Sequence, residues 1–200
     1  LPDDALEAME IAPPDIAERR RLSRIGRDMC RAWGEVEALT IAAVDGWCVG
    51  GGGALALALD LRVAGEGAGF YLPEVSRGLN LSWGAVPRLV SLIGPARGKR
   101  MAALAEKVDA QTAEAWGLVD RVARAGTARQ AAEDWAREAA ALPPVALRMC
   151  LAQAEAAGHA FDRAASALDA DQFVLSTLTE DHGESVQAFL DRRPPEYRGR

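Results

Sequence analysis

The spacing of apolar residues predicts alternating helices and strands over roughly the first two thirds of the chain and helices alone after that. A helix from Asp15 is indicated by apolar residues at helical intervals, with arginines on the opposite face: Ile16, Leu22, Ile25, Met29 and Trp33. Short apolar runs predict a buried strand at 39–44 and further extended segments at 61–64, 70–72 and 118–122. Other helices are predicted at 54–59, 87–92, 97–107, 109–117, 129–141, 144–157, 161–177 and 181–191.

This pattern divides the chain into an α/β core at 1–127 and a helical region at 128–200. Helices without a matching sheet have to bury their apolar stripes on the core or on another subunit. The end of this region carries a large apolar set: Val174, Leu175, Leu178, Val186, Phe189 and Leu190. We therefore predict an oligomer interface in this region.

A run of four glycines is the most informative local feature. The segment from Thr40 to Asp60 contains an apolar strand, a turn at Asp45-Gly46, glycines 50 to 53 and then a helix. Because glycine has no Cβ and a helix N-terminus carries partial positive charge, such a site stabilises negative charge on a ligand or transition state.

Two other interpretations of the glycines are open: a tight turn, and a dinucleotide-binding fingerprint. Gly51, Gly53 and Ala56 fit the pattern G-x-G-x-x-A. That fingerprint directly follows a strand, whereas residues 45–49 intervene here, and the next strand ends too early, near Ala64, to supply the acidic partner. We therefore favour the charge-stabilising interpretation.

Composition excludes several classes of protein. The net charge of −6 gives no basic surface for nucleic acid. Cys30, Cys48 and Cys150 are widely spaced in apolar contexts, which predicts buried thiols in a reducing cytoplasm and no metal site. No apolar run is long enough to span a membrane and nothing resembles a signal peptide, so we expect a cytoplasmic protein without a membrane partner.

Several motifs in order resemble the crotonase (enoyl-CoA hydratase/isomerase) superfamily. The first is Ile41-Ala-Ala-Val-Asp-Gly-Trp-Cys-Val-Gly-Gly-Gly-Gly-Ala-Leu-Ala, and the second is Phe70-Tyr-Leu-Pro-Glu followed by Gly78-Leu79. Weaker matches continue through Leu89, Gly94, Arg97-Gly98, 113–119, 144–148 and 179–189. The resemblance covers roughly residues 35–195. It implies a crotonase-like spiral of β-β-α turns with a C-terminal helical trimerisation region, assembled as a homotrimer or a dimer of trimers.

The resemblance also implies an acyl-CoA substrate, with coenzyme A as part of the substrate and no other cofactor. It makes the Gly51 amide one of two oxyanion-hole donors to the thioester carbonyl, with Gly50 and Gly52 beside it. In the family the other donor comes from an earlier A-F-x-A-G-A-D motif, which this chain lacks; Leu1-Pro-Asp-Asp resembles the segment just after it. Either the opening turns are not represented or half of the oxyanion hole is missing. We favour the former, because a spiral without those turns exposes an apolar sheet edge.

The carboxylates depart from the two-acid hydratases of the family. Ala54 stands where those enzymes have a glutamate in the glycine helix, whereas Glu74 is retained in the Pro-Glu element. One carboxylate can still move an α-proton two carbons along, so we predict enoyl-CoA isomerisation with Glu74 and Gly51 as catalytic residues. Apolar neighbours are expected to raise the pKa of Glu74.

Two alternatives to isomerisation stay open. Trp47-Cys48 is similar to the hydroxycinnamoyl-CoA hydratase-lyases, which also lack an acid in the glycine helix, so a single-glutamate hydratase or hydratase-lyase is one alternative. The other is a catalytically silent trimeric scaffold that binds acyl-CoA.

The resemblance assigns contacts with the substrate to six residues: Gly50, Gly52, Ala54, Trp83, Gly84 and Phe173. Trp83 and Gly84 occupy the loop that borders the acyl group in relatives, and Phe173 lies where relatives contact the adenine from a neighbouring subunit. Core packing is the alternative for Trp83 and for Phe173.

Overall fold

The computed structural model describes residues 15–200, so the similarity noted for Leu1 to Asp4 lies outside the described residues. The strands are β1 Ile41–Val44, β2 Trp47–Val49, β3 Leu61–Gly65, β4 Gly69–Tyr71, β5 Val108–Asp109 and β6 Arg121–Ala123, with a 3-10 helix at Glu74–Arg77. The helices are α1 Ile16–Gly34, α2 Gly51–Ala58, α3 Ala85–Ala103, α4 Ala110–Trp116, α5 Ala128–Ala140, α6 Pro144–Gly158, α7 Asp162–Ala165, α8 Asp169–Ser176 and α9 Glu180–Leu190. Within residues 15–200, no helix is both long enough and apolar enough to cross a bilayer.

The strands form two three-stranded sheets. The first has the order β1-β3-β6 and is parallel throughout, with Ala43 beside Val63 and Val63 beside Arg121. The second has the order β2-β4-β5, in which β2 is parallel and β5 antiparallel to β4. Strands β1 to β4 therefore alternate between the two sheets, as a spiral of β-β-α turns requires, whereas β5 follows β4 in the second sheet.

The first predicted strand is shorter and less buried than expected. It begins at Ile41 rather than at 39, and Ala43 is exposed because β1 lies at an edge of its sheet. Strand β2 was missed, since Trp47 and Val49 are exposed and only Cys48 faces inward.

The main core lies between the second sheet and helices α2, α3 and α4. Its central side chains include Phe70, Leu89, Ile93, Met101 and Val108, all at most 5% exposed. Helix α3 bends at Gly94, whose positive φ of 79° interrupts the helix where the Gly-Pro pair predicted a break.

Arg62 is the buried cation of this core, at 2% exposure. Its guanidinium donates to the carbonyls of Leu59 (2.7 Å) and Leu118 (2.8 Å) and to Oδ2 of Asp120 (3.3 Å). Burial lowers the pKa of Arg62, and the charges of Asp120 and Asp60 oppose that change. Arg62 thus joins the end of α2 to the loop before β6.

Helix α5 packs on the β1-β3-β6 sheet, where Ala128 and Ala132 cover Val63. The predicted helical region therefore begins with a helix that belongs to the α/β layers. The exposed part of the region starts later: α6 has no buried residue, so Cys150 is exposed and its predicted burial is wrong, whereas Cys30 and Cys48 are buried.

The single helix predicted at 161–177 is broken into α7 and α8. The break allows Asp169 to turn inward, where it is 8% exposed. Helix α8 packs on α1, and Arg20 Nε donates to Asp171 Oδ1 at 2.6 Å. Val174 is buried, while the rest of the predicted apolar set is exposed: Leu175, Leu178, Val186, Phe189 and Leu190.

Candidate active site

The glycine run forms the first turn of α2 and not a loop before it. The predicted helix start at residue 54 is wrong, because α2 begins at Gly51. Gly50 precedes it with φ 53° and ψ −118°, a backbone conformation that requires glycine. The Gly50 N–H donates to the Tyr71 carbonyl at 2.9 Å, and the Gly50 carbonyl accepts from Ala54 N–H at 2.9 Å. The N–H groups of Gly51, Gly52 and Gly53 precede the first intrahelical donor, the Ala54 N–H, so they are free of the helix's own hydrogen bonds.

Glu74 lies beside this turn. Its Oε1 atom is 2.9 Å from the position that a Cβ on Gly50 would occupy. Its Oε2 atom is buried and has no hydrogen-bond partner in residues 15–200. Burial raises the pKa of Glu74, in the direction that its apolar neighbours predicted. The structure thus brings a half-buried carboxyl group next to the glycine turn.

Trp83 bridges α1 and α2. A Cβ on Gly26 of α1 would lie 1.9 Å from the indole Cε2, and one on Gly51 would lie 2.5 Å from Cζ3. The indole therefore fills a slot that only glycines on both helices leave open. Trp83 and Gly84 both have left-handed backbones, with φ of 62° and 68°.

Asp169 and Asn80 hold this turn. Asp169 Oδ2 accepts from Gly84 N–H at 2.7 Å, and Asn80 Nδ2 donates to the Asp169 carbonyl at 3.3 Å. The remaining oxygens, Asp169 Oδ1 and Asn80 Oδ1, are buried without a partner in residues 15–200. Neither residue was singled out by sequence, because the contact joins positions 85 apart along the chain.

An apolar groove of about 650 Å³ runs along α1 and is lined by Trp83 and Phe173. The contact of Phe173 with an adenine from a neighbouring subunit stays a prediction. Other residues that line the groove are Arg19, Leu22, Ser23, Ile25, Gly26 and Met29 of α1, with Val174, Thr177 and His182 from the C-terminal region. The predicted apolar stripe of α1 is largely exposed, and three of its residues, Leu22, Ile25 and Met29, line this groove. On another side of Trp83, a second cavity of about 800 Å³ is lined by Arg27, Arg31 and Arg88 together with Glu155 and Asp162.

Other predicted contacts are placed less favourably. Ala54 is 1% exposed and packs in the core, so it offers almost no surface to a substrate. Gly84 is buried and lines the arginine-containing cavity instead of the groove. Gly52 is exposed, and a Cβ there would meet no atom within 4 Å. The substrate-binding roles of all three stay predictions.

One argument against a dinucleotide fingerprint was wrong. Strand β2 ends at Val49, so a strand does directly precede the glycines. The choice between a dinucleotide-binding and a charge-stabilising glycine turn therefore depends on the rest of the fold and on the relatives of the chain.

The sequence profile of the enoyl-CoA hydratase/isomerase family matches residues 14–200. The chain belongs to this family. It is 31% identical over 189 residues to the 2,3-dehydroadipyl-CoA hydratase of Escherichia coli K12, covering 93% of this chain and 74% of that protein. It is 33% identical to the crotonyl-CoA hydratase of Syntrophomonas wolfei, covering 90% of this chain and 69% of the relative.

Solved structures agree on the fold. An enoyl-CoA hydratase from Mycobacterium avium subsp. paratuberculosis superimposes with a TM-score of 0.85 at 27% identity, over 90% of this chain and 73% of that chain. A carnitinyl-CoA hydratase from Mycobacterium avium gives a TM-score of 0.77 at 31% identity, over 85% and 66% of the two chains. The predicted crotonase fold is therefore confirmed, and the protein is an enzyme of the hydratase/isomerase family.

Proposed function

We propose that the protein adds water across the double bond of a 2-enoyl-CoA thioester, with Glu74 as its acid/base residue. The observation that carries this proposal is the half-buried Glu74 carboxyl group beside the Gly50–Gly51 turn, whose buried Oε2 atom has no hydrogen-bond partner in residues 15–200. The relatives support hydration over the isomerisation that the missing second carboxylate predicted, because those named above are called hydratases.

The Gly51 N–H would donate to the thioester carbonyl oxygen. Negative charge develops on this oxygen when a nucleophile adds to the conjugated double bond, and a fixed amide at a helix N-terminus stabilises that charge without reorganising. One such donor typically lowers the barrier by about 3–4 kcal/mol.

Glu74 would move the protons. As a carboxylate it accepts a proton from water while the water oxygen bonds to the β-carbon, and as a carboxylic acid it then gives a proton to the α-carbon. The net change is the addition of one water molecule. A carboxyl group whose pKa is raised by burial is better matched to both steps than an ordinary surface glutamate.

Isomerisation is the second candidate, favoured by Ala54. The side chain of Ala54 cannot hold a water or carry a proton, which leaves Glu74 as the carboxyl group that the structure places at the glycine turn. In this reaction Glu74 takes the α-proton of a 3-enoyl-CoA and returns it two carbons along, which conjugates the double bond. An acyl-CoA-binding scaffold is the non-catalytic alternative, and assembly as a homotrimer or a dimer of trimers stays part of the proposal.

Incubation with crotonyl-CoA and with its 3-enoyl isomer distinguishes these activities. Hydration removes the ultraviolet absorbance of the conjugated thioester and incorporates oxygen from ¹⁸O-labelled water, whereas isomerisation of the 3-enoyl thioester creates that absorbance. Glu74→Gln is expected to reduce kcat/KM by roughly 10²–10⁴-fold. The matched control is Glu66→Gln in an exposed turn, which should retain full activity. Full activity of Glu74→Gln would refute the role of Glu74, and binding of both thioesters without turnover would establish the scaffold.

A further inference from the structure

We propose that Trp83 ends the acyl-binding groove, restricting the enzyme to short acyl chains, and that Asp169 is the residue that positions Trp83. This inference rests on the proposed function only in placing the thioester carbonyl at Gly51.

The position of the Trp83 indole allows it to close one end of the groove. Trp83 lines the apolar groove, and its six-membered ring packs directly on Gly51, the residue assigned to the carbonyl oxygen. Its five-membered ring packs on Gly26, so the same side chain reaches across to α1. An acyl chain that leaves a carbonyl at Gly51 therefore meets the indole within a few carbon atoms.

The space beyond the indole does not suit an alkyl chain. The cavity there is lined by the guanidinium groups of Arg27, Arg31 and Arg88 and by the carboxylates of Glu155 and Asp162. Burial of alkyl groups is favourable only where they leave water for apolar contacts. A longer chain would thus have to displace the indole or lie against charged groups.

The indole is held in place by its surroundings. The left-handed backbone of Trp83 is unfavourable for a residue with a Cβ, so it persists only where neighbouring contacts fix it. The contact that does so is the 2.7 Å hydrogen bond from Gly84 N–H to Asp169 Oδ2, buried at the start of α8. Asp169 acts on the groove through Trp83.

The experiment measures how binding and turnover depend on chain length. Dissociation constants are measured by calorimetry for butyryl-, hexanoyl-, octanoyl- and decanoyl-CoA, and kcat/KM for 2-enoyl-CoA thioesters of the same lengths. The variants are Trp83→Ala, Trp83→Phe, Asp169→Ala and Asp169→Asn. The matched control is Trp33→Ala, which removes a half-exposed indole from α1.

The wild-type protein is expected to bind butyryl- and hexanoyl-CoA more tightly than decanoyl-CoA. Trp83→Ala should raise the octanoyl-to-butyryl affinity ratio about tenfold or more, the size of effect that a few methylene contacts have in an apolar pocket. Asp169→Ala should shift the ratio in the same direction. Asp169→Asn should leave it near the wild-type value, because the amide oxygen still accepts from Gly84, and Trp33→Ala should not change it.

Several results would overturn the inference: a wild-type preference for long chains, an unchanged ratio in Trp83→Ala, equal ratios in Asp169→Ala and the wild type, or no binding of any thioester. Trp83→Phe keeps a ring in the slot and supplies the same comparison, with a smaller shift, if Trp83→Ala does not fold. A length-dependent affinity that shifts in these variants without any turnover would refute the proposed chemistry and leave this inference standing. Turnover without any dependence on chain length would support the proposed chemistry and refute this inference.

Discussion

Two glycines in the same turn should respond to the same substitution with opposite signs. Gly50 has φ 53° and ψ −118°, and a Cβ there would lie 2.9 Å from Oε1 of Glu74. Gly52 is helical, and a Cβ there would meet no atom within 4 Å. Gly50→Ala and Gly52→Ala therefore add the same methyl group two residues apart in different environments.

The magnitudes follow from backbone conformation. A backbone region reserved for glycine costs an alanine about 1–3 kcal/mol, and displacement of the Glu74 carboxyl adds to that cost. Alanine in place of a helical glycine stabilises by about 0.5–1 kcal/mol. For a chain of this size, 1 kcal/mol shifts the melting temperature by roughly 2–4 °C, so Gly50→Ala should lower it by about 2–12 °C and Gly52→Ala should raise it by about 1–4 °C.

Urea denaturation followed by circular dichroism gives the free energies of unfolding, and calorimetry gives the melting temperatures. The same proteins are assayed for hydration of crotonyl-CoA, where Gly50→Ala should lose activity because it displaces Glu74. Equal changes in stability for the two variants, or an active and stable Gly50→Ala protein, would refute the geometry of the turn.

Three further predictions concern pH, the buried arginine and assembly. Burial raises the pKa of Glu74 in the folded protein above its value in the unfolded chain. The contribution of Glu74 to stability is therefore fully present below the unfolded pKa and is lost as the pH rises through the folded pKa. Each pKa unit between the two states corresponds to about 1.4 kcal/mol. Glu74→Gln should therefore match the wild type near pH 4 and become relatively more stable at higher pH, and a pH-independent difference in denaturation free energy would contradict this. Arg62→Leu should cost about 1–3 kcal/mol or more in urea denaturation, because it leaves the buried carbonyls of Leu59 and Leu118 without their side-chain donor, and a loss below 1 kcal/mol would count against it. Asp120 Oδ2 keeps the hydrogen bond from the backbone N–H of residue 62 at 2.7 Å. The exposed apolar residues of α8 and α9 should support a trimer or a multiple of it in light scattering, and Leu175→Asp with Leu178→Asp should shift the mass toward the monomer; a monomeric wild type would disprove the interface.

Local signals in the sequence predicted the helices better than the strands. Asp15 and Asp109 cap α1 and α4 with their own side chains, and Gly117 ends α4 with a left-handed backbone, as their residue types predict. Strands β2 and β5 have three and two residues and exist because β4 lies between them, so no local pattern marks them. The predicted strand at 118–122 is shifted to 121–123 because Leu118 and Val119 are buried in the loop before it.

The candidate site also has parts that could be predicted from the sequence and parts that could not. The pairing of Glu74 with the glycine turn was expected only from the family resemblance. The structure explains it, because β2 leads into the glycine turn, β4 leads toward Glu74, and these two strands are neighbours. The slot for Trp83 depends on Gly26, and the turn that carries Trp83 depends on Asp169, so both are products of tertiary packing. An isolated glycine inside the amphipathic pattern of α1 was the one signal present, since a helix interior rarely tolerates it without a packing reason.

The contacts of Arg62 have a consequence for the order of folding. The guanidinium takes acceptors from Leu59, near in the chain, and from Leu118 and Asp120, which are translated much later. Strand β3 likewise gains β6 as its second neighbour only at Arg121. While the chain is being synthesised, the glycine helix and β3 therefore cannot reach their final packing until the ribosome has released that later loop. Contacts this distant in sequence slow folding. Until they form, the Arg62 side chain of the incomplete chain stays hydrated, whereas in the folded enzyme it is buried.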